Sequence, residues 1–426
     1  MSLVPLVIVE GFLGGAGSFL WGNFHGHCDP TGHVDVKQAA GRQIIFVSIG
    51  PVSSLHDRAC ELYYALKGGT VDYGAEHAYA NGHGRYGRHH SQGLYPGWSS
   101  EKPLHFFGHS MGGPTVTKLQ RLLEIGFFGR SESPDMILSL TAVSSPFRGT
   151  QAVYTLGECA DNAPRVRPFS VGYLLTKGVH IASYLSPHMP SFLDMHAEAR
   201  SLSYASMTLR EFVATLRQSK WGESRDAAPF DVTFEAADMR EANEEGLPFS
   251  GTYYRSYTAY MTRTGSTPSK YQGPSLRYAI LNPPLFVLSS LMETFDFSIL
   301  KPSPSIISLN ASYQFRRSLW RDRGQESLRS NDGVVPVFSQ WHPCDCSATT
   351  CRHWSQPLQE VRVFADLPGP TPGVWEVFEV PEATHVSLVP FWFASERQCA
   401  FWRSVGSWLR AIDQEVEVRS KKKSVG

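Results

Sequence analysis

The stretch Leu104-His105-Phe106-Phe107-Gly108-His109-Ser110-Met111-Gly112-Gly113 constrains the fold of this chain more than any other. Leu104–Phe107 is apolar and strand-like, while Val116, Leu119, Leu122 and Leu123 recur at helical spacing after it. Between them stands Gly-x-Ser-x-Gly, so the pattern is a strand, a sharp turn and a helix. A serine on such a turn projects its hydroxyl, and small residues on both sides let strand and helix approach. Backbone N–H groups at the new helix start then face an oxyanion forming beside the serine. The pentapeptide alone occurs by chance, but this context predicts a nucleophilic Ser110 and serine-dependent ester hydrolysis rather than a plain Gly-Ser turn.

The surrounding rhythm is that of a parallel α/β protein. Leu6–Val9, Ile44–Ser48, Leu104–Phe107 and Ile137–Val143 read as buried strands. Ala59, Leu62, Tyr63 and Leu66 form one face of a helix between the second and third. The Gly/His-rich segment Gly68–Gly97 is too long for a plain connection, so something should hold it. After Ser144-Ser145-Pro146 the strand rhythm stops until Thr252–Tyr260, leaving a helical or irregular insertion of the kind that carries lids and pockets. Thr252–Tyr260 and Val374–Val380 read as the last core strands and Phe391–Val418 as a closing helix. Ser327–Trp354 and Leu367–Gly373 are loop-rich. The expected organisation is one α/β domain over residues 1–426, with a loop region at 57–97 and a helical insertion at 150–250.

Composition narrows the partners. The 426 residues are 42% hydrophobic, enough for a large core, and Lys+Arg and Asp+Glu balance at 39 each. No overall field draws such a chain to nucleic acid or an anionic membrane, and small neutral or apolar substrates fit better. The one charge run, Arg419-Ser420-Lys421-Lys422-Lys423, reads as a solvated end, with a weak lipid-surface contact as its only other use. No apolar run reaches the roughly 20 residues a membrane span needs, and Pro283-Pro284 splits Tyr278–Leu291. Val4–Val9 already reads as core strand, with no basic leader before it. The expectation is a soluble, intracellular protein, or a secreted one if a leader has been removed. Cys28, Cys60, Cys159, Cys344, Cys346, Cys351 and Cys399 are an odd set without a disulfide-framework spacing.

A serine hydroxyl needs a histidine to take its proton and usually a carboxylate to orient that histidine. In α/β-hydrolase folds the chain order is Ser, acid, His. Asp332, on the turn-forming Asn331-Asp332-Gly333, and His385, after the last predicted strand, fall where loops converge above the strand ends. By position alone Asp332 could also be an ordinary turn aspartate. His342 and His353 are the rival bases, but a strand end delivers His385 to the site. The oxyanion hole needs one N–H from Met111 and one from the early loop, where Phe12 in Gly11-Phe12-Leu13-Gly14 is the candidate; Phe12 also suits a pocket wall.

At this point the chain resembles the zinc-containing thermoalkalophilic lipases of bacilli and their staphylococcal relatives. The match rests on Gly11-Phe12, Gly50-Pro51-Val52-Ser53-Ser54, Asp57-Arg58-Ala59-Cys60-Glu61, Gly68–Ala78, Gly82–Arg88, Gly108–Gly113, Asn331-Asp332-Gly333 and His385, in that order. It is weak across Gln151–Ser224. The resemblance implies an α/β-hydrolase fold with a mostly parallel central sheet, a large helical lid insertion and a zinc-stapled subregion. It carries a Ser110, Asp332, His385 triad and acylglycerol substrates. It also implies a structural zinc on Asp57, His77, His83 and Asp231, pinning the Gly/His-rich segment to the insertion. Read without it, Asp57 is a helix-start residue and His77 a surface histidine.

Three departures stand out. Glu10 occupies the place of the family's histidine before Gly11, bringing a negative charge near the oxyanion loop. Val386–Ser395 contains no carboxylate where the family holds calcium, so calcium is not expected. The lid is poorly matched: Phe169, Tyr173, Leu174, Ile181, Tyr184 and Leu185 suit either an amphipathic lid helix or a buried core helix. The loop containing His342, Cys344, Cys346, Cys351 and His353 has no family counterpart. Its Cys-x-Cys-x₄-Cys spacing is not a familiar zinc signature, and its thiols read as unliganded or redox-labile. The leading reading is a lipase. A non-lipolytic esterase, an acyltransferase on the same triad and a lipid-binding scaffold are the alternatives.

Overall fold

The computed structural model describes residues 3–14, 41–186, 194–218, 221–261, 273–307, 329–354, 369–389 and 395–425. Apart from short 3₁₀ turns, its elements begin with β1 (Leu6–Val9), β2 (Ile44–Phe46), α1 (Leu55–Lys67), β3 (Gly69–Asp72), α2 (Ala75–Asn81) and β4 (Tyr86–His90). Then come β5 (Leu104–His109), α3 (Gly112–Glu124) and β6 (Ile137–Val143). The helices α4 (Ala152–Leu156), α5 (Val171–Leu185), α6 (Leu209–Gln218), α7 (Ala228–Asp231) and α8 (Phe234–Ala242) precede β7 (Tyr253–Tyr260). Last are α9 (Arg277–Leu281), α10 (Pro283–Glu293), β8 (Cys351–Trp354), β9 (Trp375–Pro381) and α11 (Glu396–Val425).

Seven strands form one sheet in the order β2-β1-β5-β6-β7-β9-β8, with every neighbouring pair parallel. Parallel strands covered on both faces are largely apolar, and β1 shows why. Val7 and Val9 pack with Ala59, Leu62 and Leu66 of α1 and Leu119 of α3 on one face. Leu6 and Ile8 pack on the other with Trp402, Val405 and Leu409 of α11. All of the strands expected for the core are present. β8 lies within the stretch read as loop, and β3 and β4 pair as an antiparallel ribbon inside Gly68–Gly97.

The closing helix runs beyond its expected end. Residues 391–394 and Cys28 lie outside the described residues, and α11 continues through Val418 into the basic tail. There Arg419 pairs with Glu415 and Lys421 with Glu417, four residues apart on one helix face, which favours another turn over a frayed solvated end. No helix among the described residues is long and apolar enough to cross a membrane.

Candidate active site

The turn from β5 into α3 holds Ser110 at φ +54°, a left-handed conformation that costs a non-glycine residue energy and is kept only where the surroundings enforce it. Those surroundings are close. The Ser110 N–H donates to the Val143 carbonyl at 2.9 Å. A β-carbon on Gly108 would lie 2.4 Å from the Gly113 nitrogen, and one on Gly11 would lie 2.8 Å from Ser110 Oγ. Only glycine allows these approaches.

Asp332 and His385 are brought together from sequence positions 53 residues apart. His385 Nδ1 and Asp332 Oδ2 are 2.9 Å apart, and the His385 N–H donates to the Asp332 carbonyl at 2.8 Å. The other carboxylate oxygen, Oδ1, accepts the Val334 and Val335 N–H groups at 2.9 and 2.7 Å. The carboxylate is therefore fixed from both sides. With Nδ1 donating to Asp332, Nε2 of His385 carries the lone pair a base requires. His109 supports the same residue from behind: its ring lies 5.0 Å from that of His385, and its Nε2 donates to the His385 carbonyl at 2.8 Å. Burial, and then repulsion from His385, push the His109 pKa down to about 3, so it stays a neutral Nε2–H donor. The rival histidines instead face each other, His342 from the loop before β8 and His353 from β8 itself.

Among the described residues, neither Phe12 nor Met111 donates its backbone N–H to a carbonyl. The Phe12 loop is shaped by Leu13 N–H to Pro51 O at 3.0 Å and Gly14 N–H to Gly11 O at 3.1 Å. The fully buried Arg58 locks it further, donating to the Gly50 carbonyl at 2.7 Å, Thr115 Oγ1 at 3.0 Å and the Glu10 carbonyl. Burial lowers the Arg58 pKa to about 10, and Glu61 and Glu10 oppose that shift; the Glu10 charge thus has a buried cation beside it. The arginine was legible only as part of a matched motif.

Ser110, Phe12 and Met111 line one end of a pocket whose other walls are largely apolar, including Val153, Leu156, Leu175, Val179 and Trp221. Thr150, Thr176, His180 and Glu158 are polar members of these walls, and Glu158 is the carboxylate among them. Burial, reinforced by Glu223 and Glu235, raises its pKa to about 8, so at neutral pH the wall is largely uncharged.

A second constellation lies beside the pocket. Asp57 of α1, His77 of α2, His83 and Asp226 present ligand atoms all within 4.8 Å of one another. His77 Nε2 is 3.1 Å from both Asp57 Oδ1 and Asp226 Oδ1, and His83 Nε2 is 3.3 Å from Asp226 Oδ2. Because His83 Nδ1–H donates to the Gly84 carbonyl at 2.8 Å, its buried Nε2 turns a lone pair toward a carboxylate. A cation between them removes that repulsion. Burial opposes a charge on His77, yet the two carboxylates raise its pKa to about 9, a measure of their field. These residues could hold a metal ion.

The fourth member of the cluster is not the Asp231 expected. Asp231 sits at the end of α7, where its carboxylate accepts the Leu55 N–H at 2.6 Å and caps the start of α1. Asp226 takes its place in the cluster, because the chain crosses the pocket wall five residues earlier. It follows directly on the stretch where the family resemblance is weakest, so the register of the match was lost there.

The pattern of the lipase-like, C-terminal domain family matches residues 3–282. The chain belongs to that family. Lipase 2 of Staphylococcus aureus is similar, 29% identical over 410 residues that cover 91% of this chain and 50% of that protein. The lipase of Staphylococcus hyicus is 30% identical over 369 residues, covering 80% of this chain and 53% of its own length. This member of the lipase-like family therefore spans about half the length of the curated relatives it matches, and it bears out the staphylococcal resemblance. The crystal structure of the S. hyicus lipase shares the fold, with a TM-score of 0.69 at 23% identity over 97% of this chain and 96% of that one. Lipase 1 from Pelosinus fermentans has a TM-score of 0.63 at 23% identity, covering 96% and 99%. The intracellular location expected from the sequence gains no support from these relatives.

Proposed function

We propose that this chain is a lipase-type carboxylic-ester hydrolase acting on acylglycerols with medium or long acyl chains. The observation that carries the reading is the Asp332 and His385 hydrogen bond in the same loop cluster as a left-handed Ser110 beneath an apolar pocket. His385 Nε2 takes the Ser110 hydroxyl proton as Oγ attacks the ester carbonyl carbon. The oxyanion so formed is held by the N–H groups of Phe12 and Met111. On collapse, the carbon–oxygen bond to the alcohol breaks and His385 returns the proton to the departing oxygen. Water, deprotonated by His385, then attacks the acyl-Ser110 ester and frees the acid.

The same reading makes Asp57, His77, His83 and Asp226 the ligands of a structural zinc. A set of two nitrogens and two oxygens completes four-coordination, and the role of the ion is to tie the 57–97 region to the insertion at residues 150–250 of one domain. Calcium has no part in it.

Covalent labelling tests the assignment. An alkyl organophosphonate should attach to Ser110, seen by mass spectrometry of the peptide, and turnover of p-nitrophenyl esters and emulsified triacylglycerol should vanish with it. Ser110→Ala should fold normally and lose at least about 10⁴-fold in kcat. Unlabelled protein, or a Ser110→Ala variant with full activity, would overturn the reading. Activity on acetyl esters with none on emulsions would reduce it to a plain esterase.

A further inference from the structure

The loop leading into β8 contains a cluster that ester hydrolysis does not use. His342, Cys346, Cys351 and His353 present ligand atoms all within 4.8 Å of one another. The set is not the one the cysteine spacing suggests: Cys344 turns away, buried, with its thiol toward the Glu245 carbonyl at 3.7 Å. Counting from histidine gives His-x₃-Cys-x₄-Cys-x-His. The last pair follows from strand geometry, since Cys351 and His353 lie two apart on β8 and share a face. Trp354, on the opposite face, stacks on Phe378.

We propose that these four residues form a second, sulfur-containing zinc site that clips the edge strand β8 to the end of the loop carrying Asp332. Distances and hydrogen bonds carry the argument together. A tetrahedral zinc with nitrogens at ~2.0–2.1 Å and sulfurs at ~2.3 Å sets nitrogen–nitrogen edges of about 3.4 Å and nitrogen–sulfur edges of about 3.6 Å. Here the two imidazole Nε2 atoms are 3.4 Å apart, and Cys346 Sγ is 3.4 Å from His342 Nε2 and 3.5 Å from His353 Nε2. His342 Nδ1–H donates to the Cys344 carbonyl at 2.7 Å, which leaves the Nε2 lone pair facing into the cluster, the outer-sphere arrangement of a metal-bound histidine. The His342 lone pair, His353 Nε2 and the Cys346 sulfur thus converge on one point, at the mutual distances a shared cation sets. Cys346 and Cys351 are both free thiols.

Binding involves no oxidation: zinc takes four ligand bonds, and a thiol entering as thiolate releases its proton to solvent. The clip has a structural object. Among the described residues β8 pairs on one side only, with β9. Upstream, Gln340 bonds the Ala259 N–H and carbonyl of β7 at 2.8 and 3.0 Å and the Val335 carbonyl at 3.0 Å. A metal at His342 therefore joins this anchored acid loop to the outermost strand.

The test uses the full chain, kept reduced and loaded with cobalt(II) in place of zinc. Thiolate ligation gives a sulfur-to-cobalt charge-transfer band in the near ultraviolet, which the Asp57, His77, His83 and Asp226 set cannot give because it has no sulfur. The band should be present in the wild type and in Asp226→Ala, and lost in Cys351→Ser. As a measurement that does not depend on the variant folding, the zinc-loaded wild type is also titrated with a mercurial thiol reagent. One equivalent of zinc should be released, and amide exchange in residues 351–354 should accelerate. A wild type with no charge-transfer band, no mercurial-releasable zinc, or a Cys346–Cys351 disulfide under reducing conditions would overturn the site.

Discussion

Glu158 carries a pH dependence that belongs to the pocket wall. Its folded pKa of about 8 lies above the ordinary carboxylic value of 4.5, so between these limits the folded state holds a proton that the unfolded chain gives up. Its contribution to stability is therefore best below that window and declines as pH rises through it. Glu158→Gln, which cannot ionise, should match the wild type near pH 4 and exceed its Tm by about 2–4 °C near pH 9. Parallel pH profiles for the two proteins in calorimetry would remove this account. Asp332 invites a different substitution. Both its oxygens accept, one from His385 and the other from two backbone N–H groups, so in Asp332→Asn the amide NH2 either faces those two N–H groups or faces Nδ1 and forces His385 into the tautomer whose Nε2 carries the proton and cannot act as a base. We expect kcat to fall by about 10³–10⁴-fold with a stability loss of about 1–3 kcal/mol, read from steady-state kinetics and urea unfolding.

Elements differ in how openly the sequence declares them. β1, β5, β6, β7 and β9 were legible because strands covered on both faces are rich in aliphatic and aromatic residues, with the buried charges paired, as Arg255 of β7 is with Glu376 of β9. β8 was not, since Cys-Arg-His-Trp at a sheet edge is half-buried and has no apolar run. The Asp332 and His385 pairing was readable because both residues sit at strand ends in a fixed order. The residues of the Asp57 cluster were readable only where the motifs were dense, so Asp57, His77 and His83 lie together as expected, and Asp226 stands where Asp231 was expected. On α5 only His180 and Ser183 are buried, while Leu174 and Ile181, with Phe169 just before the helix, are exposed. Its other side, through Leu175, Thr176 and Val179, closes over the pocket that contains Ser110. An exposed apolar face above a buried nucleophile gains by meeting a lipid surface, each such side chain contributing about 1.5 kcal/mol or more on burial. Replacing Phe169 and Leu174 together by serine should cut the rate on emulsified triacylglycerol by at least about tenfold and leave soluble p-nitrophenyl butyrate hydrolysis nearly unchanged. Equal losses on both substrates would mean that the helix is structural rather than interfacial.

At the scale of the whole molecule, the Asp57 cluster connects three segments that the chain alone leaves apart: the start of α1, the Gly/His-rich region around α2, and the pocket wall before α7. Asp226 lies between Gly222 and Ala227 of that wall. Arg200 donates to both cluster carboxylates, at 3.0 Å to Asp57 and 2.6 Å to Asp226, while stacking 4.6 Å over the pocket residue Trp221. An ion bound there should stabilise the fold and fix one side of the acyl pocket without touching Ser110. Chelation is therefore expected to lower Tm and raise KM for long-chain esters while changing kcat little. The two aspartates separate ligation from capping. Asp226→Ala should lose the metal held at this cluster and reproduce the effects of chelation. Asp231→Ala should keep that metal and lose only the cap on α1, about 1 kcal/mol. Metal analysis of both variants beside their melting curves decides the matter: retention of the metal in Asp226→Ala together with its loss in Asp231→Ala would return the fourth ligand to Asp231.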